Sequence, residues 1–252
     1  MIEPGPVVPQ LPDASSAPVP GQGTGSDPLP TDILDDNVRG RPRTPPEAGF
    51  GKLWRKRYWI RLPEVDLTPE DLIQFWRSEF GHIWPKGNAF YRPVEGLEVG
   101  EVALFDLSLP LGGRVSTGVV VVDVQPASFA FQTTRGHTFA GSITFSAKID
   151  DGVLVAQVES EIRASDPIYE LGLPLGGHDR EDQFWLQTLR NLAAHLGATA
   201  EPEKTMTELD AHRRWRNAGN IRDNAVLHTA ARMVARPFRF ALARFGAKGG
   251  LS

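Results

Sequence analysis

The 252-residue chain contains no cysteine, which removes disulfides, thiolate metal sites and thiol nucleophiles from consideration and suits a reducing compartment. It also lacks any apolar run approaching the roughly 20 residues of a membrane-spanning helix. The opening MIEPGPVVPQLPDASS has neither the positive charge nor the unbroken apolar stretch of a secretion signal. A soluble cytoplasmic protein is expected, at most peripheral at the inner face of the membrane. Missing too are a nucleophile motif, a Walker loop and a dinucleotide fingerprint, since Gly21, Gly23 and Gly25 follow no strand. The histidines His82, His137, His178, His195, His212 and His228 are dispersed, with no pair at i, i+3 or i, i+4. Neither a metal nor a cofactor is therefore expected.

What is present is unevenly spread. Eleven of the 21 prolines fall in residues 1–46, mixed with Gly, Ser and Asp and without apolar periodicity. Such a segment buries too little to offset its ordering entropy, so residues 1–51 read as a disordered Pro-rich arm. The net charge of −4 hides an asymmetry: residues 213–248 carry nine Lys or Arg against Asp223 alone, a charge of +8 that leaves −12 elsewhere. Residues 201–252 read as a basic helical tail that folds back on an acidic body or meets an anionic partner.

Residues 52–200 hold the remaining apolar content and read as one α+β domain. Alternation puts Trp54, Tyr58, Ile60 and Leu62 on one face of a strand and Arg55, Arg57 and Arg61 on the other. Thr68, Pro69 and Asp71 form a helix start, and Leu72, Phe75, Trp76 and Phe80 predict an amphipathic helix over 69–80. Strands are predicted at 100–109, 114–124, 128–134, 141–149 and 153–163, joined too closely to be anything but antiparallel, with Asp151-Gly152 as the firmest hairpin. In the last of them Leu154, Ala156, Val158 and Ile162 face inward, and Gln157, Glu159, Glu161 and Arg163 outward. Residues 165–178 read as a Pro- and Gly-rich loop. A helix from Asp179 then carries Phe184, Trp185, Leu189, Leu192 and Leu196 on one stripe. The expected architecture is an antiparallel sheet of about six strands curved around a long C-terminal helix. This element order resembles the helix-grip fold of the START-like superfamily, which implies a cavity between sheet and helix. The likeness of Phe105–Gly113 to Tyr169–Gly177 is taken as one turn chemistry used twice.

Between Phe129 and Trp185 an aromatic strand (Phe129, Phe131), Gly136-His137, Ala140-Gly141, Phe145-Ser146, the Asp-Gly hairpin and Ser165 before a Gly-rich loop and closing helix together resemble the domain-of-unknown-function nineteen-ninety family. Ser142 and Ile143 stand where that family usually has an acidic pair, so no role of the pair carries over. The resemblance implies a fold and no reaction.

His137, in the Arg135-Gly136-His137 hairpin between two buried strands, is the most suggestive single residue: an imidazole at a cavity mouth, or a turn histidine bonding its own loop. Glu159, Glu161 and Asp166 place carboxylates near one strand end, where solvated charge is the simpler explanation. Trp84, Phe105, Phe129, Phe131, Phe145 and Trp185, with Arg135 and His137, are candidate ligand-binding residues, or the aromatics fill the core solidly. In the tail, Arg232, Arg236 and Arg239 oppose Phe238 and Phe245 on a basic amphipathic helix suited to a lipid surface or to docking on the domain; nucleic acid is not expected. The leading expectation is a protein that binds an apolar or amphipathic small molecule, a lipid among them. The alternatives are an enzyme of the START-like cyclase or dehydratase kind with His137 as base, and a scaffold acting through arm and tail. Oligomeric state is not legible.

Overall fold

The computed structural model describes residues 40–91, 97–108 and 114–228. The first 39 residues of the expected arm and the tail beyond residue 228 lie outside them. Eight strands form one antiparallel sheet: β1 (Leu53–Leu62), β2 (Ala89–Tyr91), β3 (Val102–Ser108), β4 (Arg114–Gln125), β5 (Ser128–Thr133), β6 (Phe139–Asp150), β7 (Val153–Ala164) and β8 (Glu203–Asp210). Their order across the sheet is β2-β3-β4-β5-β6-β7-β1-β8. β3 to β7 form a meander, and the chain's first strand, β1, pairs with the last of it. The β6–β7 hairpin turns at Asp151 and Gly152, whose φ of 49° and 73° give the left-handed pair that a two-residue turn needs.

The sheet has eight strands rather than about six. β2 is three residues long, too short to show a period. β8, Glu-Lys-Thr-Met-Thr-Glu-Leu-Asp, has no apolar alternation because it lies exposed at the sheet edge, and its pairing with β1 makes it a strand. The tail expected to be helical from 201 therefore begins as part of the sheet.

Helix α1 (Pro69–Glu79) starts as its sequence dictates: the Asp71 N–H donates to the Thr68 hydroxyl at 3.1 Å and the Asp71 carboxylate receives the Thr68 N–H at 3.4 Å. It buries Leu72, Ile73, Phe75 and Trp76 against β5, β6 and β7. The segment expected to be a loop contains helix α2 (Pro167–Gly172) and a π-type turn (Leu173–Gly177) kinked at the non-helical Leu175 and Gly176, after which helix α3 (His178–His195) begins. Pro167 does not break this helix because it occupies the first helical position, and Asp166 caps it by accepting the Ile168 and Tyr169 N–H groups at 2.8 and 3.1 Å. Beyond β8 a 3-10 stretch, Trp215–Asp223, returns to the start of the domain.

The core is aromatic. Phe80, Phe129, Phe131 and Phe145 meet with ring centroids 4.8 to 5.7 Å apart, and Trp76 closes the cluster under α1. α3 buries Trp185, Leu189 and Leu192 and rests chiefly on β1 and β8. The inward row Tyr58, Val158 and Phe145 across β1, β7 and β6 carries two rings, whereas the next two rows, Lys56-Ser160-Ile143 and Trp54-Ile162-Gly141, include the small residues Ser160 and Gly141. Space remains between sheet and helix beneath those rows.

Candidate functional site: the cavity beneath the long helix

That space is a cavity of about 910 Å³, within the usual range for a small-molecule site. Its inner wall is apolar and aromatic: Trp84, Phe105, Val119, Ile143, Phe184 and Trp185. Its other side is built by α2 and the π-type turn, through Ile168, Tyr169 and Leu173, and by Asn224, Val226 and Leu227 from the C-terminal segment. Asn224 is fully buried; its amide donates to the Asp166 carboxylate at 2.7 Å while its carbonyl receives the Leu227 N–H at 3.0 Å. The segment before it is anchored by Asn217 and Asn220, which donate to the Gly49 and Ser165 carbonyls at 2.8 and 2.9 Å, and by Trp215, edge-on to Phe50 at 5.2 Å. Arg163, expected outward, is buried under residues 210–212 and donates to the Gly51 and His212 carbonyls at 2.6 and 3.0 Å and to Asp210.

The candidate residues divide. Trp84, Phe105, His137 and Trp185 line the cavity, while Phe129, Phe131 and Phe145 belong to the closed aromatic cluster and do not. Arg135 is exposed on the hairpin. Glu159 and Glu161 lie on the outer face, paired with Arg57 at 2.7 Å and Arg55 at 3.0 Å, as Asp150 is with Arg61. The basic face of β1 is thus matched by the acidic face beside it. Asp166 is a helix cap. Arg232, Arg236, Phe238, Arg239 and Phe245 lie outside the described residues.

His137 is held in the turn by Gly136, whose φ of 95° suits glycine, and is buried at 8% exposure. Its Nδ1 is held by the Phe139 backbone, 3.0 Å from the N–H and 3.1 Å from the carbonyl oxygen. Burial lowers its pKa to about 4, partly offset by the Phe139 carbonyl, so the ring is neutral near pH 7.

A charged group absent from the expected set stands behind the cavity wall. Lys56, fully buried, donates to Glu181 Oε2 at 2.8 Å and Asp182 Oδ1 at 2.9 Å; Tyr58 donates to the same Asp182 oxygen at 2.8 Å and Lys204 to the other. Burial pushes Asp182 up, yet the hydrogen bonds from Lys204, Lys56 and Tyr58 outweigh it and hold the carboxyl below its usual range. Glu181 lines the cavity, and its pKa is raised, because burial exceeds what the charge and hydrogen bond of Lys56 return. Burial, then the charges of Glu181 and Asp182, push the Tyr58 hydroxyl up. Burial, and then Lys56, lower His178, whose ring lies 5.0 Å from that of Trp54. The signals for this group were in the sequence. Lys56 sits between Trp54 and Tyr58 on the inward register of β1, Asp182 lies three and seven residues before Trp185 and Leu189 on the apolar stripe, and Ser160 falls between Val158 and Ile162 on that of β7. Period arguments built on apolar residues pass over polar ones at the same positions.

A curved antiparallel sheet closed by a long helix over a cavity is a helix-grip arrangement. No family model matches the chain, and no curated protein matches its sequence. The resemblance to the domain-of-unknown-function nineteen-ninety family is accordingly not supported as a family, and only the fold it implied is found. Among solved structures the chain is similar to protein Ms6760 from Mycobacterium smegmatis (13% identity over 57% of this chain and 90% of that one, TM-score 0.42). It is similar also to TTHA0849 from Thermus thermophilus (11%, 56% and 96%, TM-score 0.45) and to ginseng major latex-like protein 151 from Panax ginseng (18%, 57% and 98%, TM-score 0.37). Among the described residues no helix is long and apolar enough to cross a membrane, and no group of three or more His, Asp or Glu is placed to hold a metal ion.

Proposed function

We propose that the protein binds an apolar or amphipathic small molecule between sheet and α3. The observation that carries this reading is the cavity of about 910 Å³, walled by Trp84, Phe105, Phe184 and Trp185 beside a core that is otherwise closely packed. Interiors seldom leave such a volume without using it. The bound molecule lies with its rings or chain against the aromatic wall and its polar groups toward His137, Ser160 and Glu181. Native mass spectrometry of the purified protein, before and after organic extraction, tests the reading. A reproducible adduct removed by extraction and restored by re-addition supports it; no adduct, together with no uptake of apolar fluorescent probes, sinks it.

An enzyme using His137 as a general base is the weaker reading. A base works best with a pKa near the working pH, and burial leaves this imidazole far below it with Nδ1 already engaged by the Phe139 backbone.

A further inference from the structure

Resting on that binding reading, the walls also specify what kind of polar group the ligand carries. Trp84 and Ser160 both line the cavity at 5% and 1% exposure, and neither the indole Nε1–H of the first nor the hydroxyl of the second has a hydrogen-bond partner among the described residues. His137 stands beside them, its Nδ1 engaged by the Phe139 backbone, 3.0 Å from the N–H and 3.1 Å from the carbonyl oxygen. Trp84 and His137 both meet the ring of Phe105, at centroid distances of 4.8 and 6.4 Å. Ser160 sits across the cavity, paired in register with Ile143, which also lines it. The wall's carboxylate, Glu181, already accepts from Lys56 at 2.8 Å. Buried donors left unpaired are costly, and the Trp84 N–H and the Ser160 hydroxyl are both satisfied by one type of partner, an acceptor oxygen.

We infer that the ligand is a largely apolar compound carrying carbonyl-type acceptor oxygens, received by the N–H of Trp84 and the hydroxyl of Ser160, rather than a plain hydrocarbon or an amine. Equilibrium dialysis of the full chain against three probes of nearly the same shape tests this: 9-fluorenone, with one carbonyl; fluorene, with none; and 9-aminofluorene, a cationic donor. The expected result is that 9-fluorenone binds about tenfold tighter than fluorene, the worth of one neutral hydrogen bond, with the amine weakest. Trp84→Phe and Ser160→Ala, both close in shape and checked by thermal unfolding, are each expected to shrink the fluorenone-to-fluorene ratio several-fold, the loss falling mainly on fluorenone. A substitution that merely disturbed packing would weaken both probes together. Fluorene equal to or tighter than fluorenone in the unaltered protein, or the amine tightest, overturns the inference and leaves the cavity reading standing. Failure of all three to bind removes the cavity reading and this inference with it.

Discussion

Lys56 sits at 0% exposure among the apolar inward residues of β1, tolerated because two carboxylates accept its hydrogen bonds. A buried pair costs most when one member is removed, since the other stays behind as an uncompensated charge. Lys56→Met should therefore destabilise the domain by about 3 to 5 kcal/mol in urea unfolding, and pairing it with Asp182→Asn should recover part of that loss. A double variant no more stable than the single would show that the two groups do not act as a unit. His137 carries the opposite kind of prediction, in pH. Its folded pKa of about 4 lies below the ordinary 6.5, so the unfolded chain binds more protons between those values. The stability this group contributes is complete above about 6.5 and is lost as pH falls toward 4, amounting to about 3 kcal/mol. Midpoints measured from pH 7 to 4 should fall less steeply in His137→Asn than in the unaltered chain; equal slopes would locate the acid sensitivity elsewhere.

At the scale of elements, the segment after β8 is as much a wall as the helices are. Asn224 bridges the Asp166 cap of α2 to the Leu227 backbone, so it ties together the two segments that build one side of the cavity. Asn224→Ala leaves the Asp166 oxygen and the Leu227 N–H unpaired and should cost about 1 to 3 kcal/mol. It should also speed release of any bound probe, measured by stopped-flow dissociation, whereas Thr68→Ala at the start of α1 should cost about 1 kcal/mol without changing that rate. The two helix starts differ in how far the sequence revealed them. Thr68, Pro69 and Asp71 form a complete local signature followed by a clear apolar stripe. Asp166 and Pro167 form one equally good, but Gly172, Pro174, Gly176 and Gly177 follow at once, and these residues normally end helices. The chain passes them through a π-type turn with Gly176 at φ 104°, a solution that needs the packing of Leu173 rather than local preference.

Over the whole molecule, the question is whether sheet and helix enclose a solid core or a site, and the two differ in their response to added volume. Overpacking a filled core costs roughly 1 to 3 kcal/mol. Ile143 borders the cavity, so Ile143→Trp should leave urea stability within about 1 kcal/mol of the original while abolishing probe uptake in fluorescence titration. A large loss of stability instead would mean that the space is not available to a ligand.

By itself the sequence determined the strands of the meander, the two long helices and the Asp151-Gly152 hairpin, because period, caps and turn residues act within a few positions of each other. It also held the inward placement of Lys56, Ser160 and Asp182, legible from register although their types argue against burial. What only the tertiary structure decided depends on distant partners. β8 is a strand because β1 offers an edge, Arg163 is buried because residues 210–212 cover it, and α2 persists because Asn224 and Arg213 meet Asp166 and Glu170. The cavity belongs to the same class. The aromatic residues count toward a core wherever they lie in the chain, and only their division in space, with Phe129, Phe131 and Phe145 in the cluster and Trp84, Phe105 and Trp185 on its open side, separates the packed half of the domain from the half that can receive a ligand.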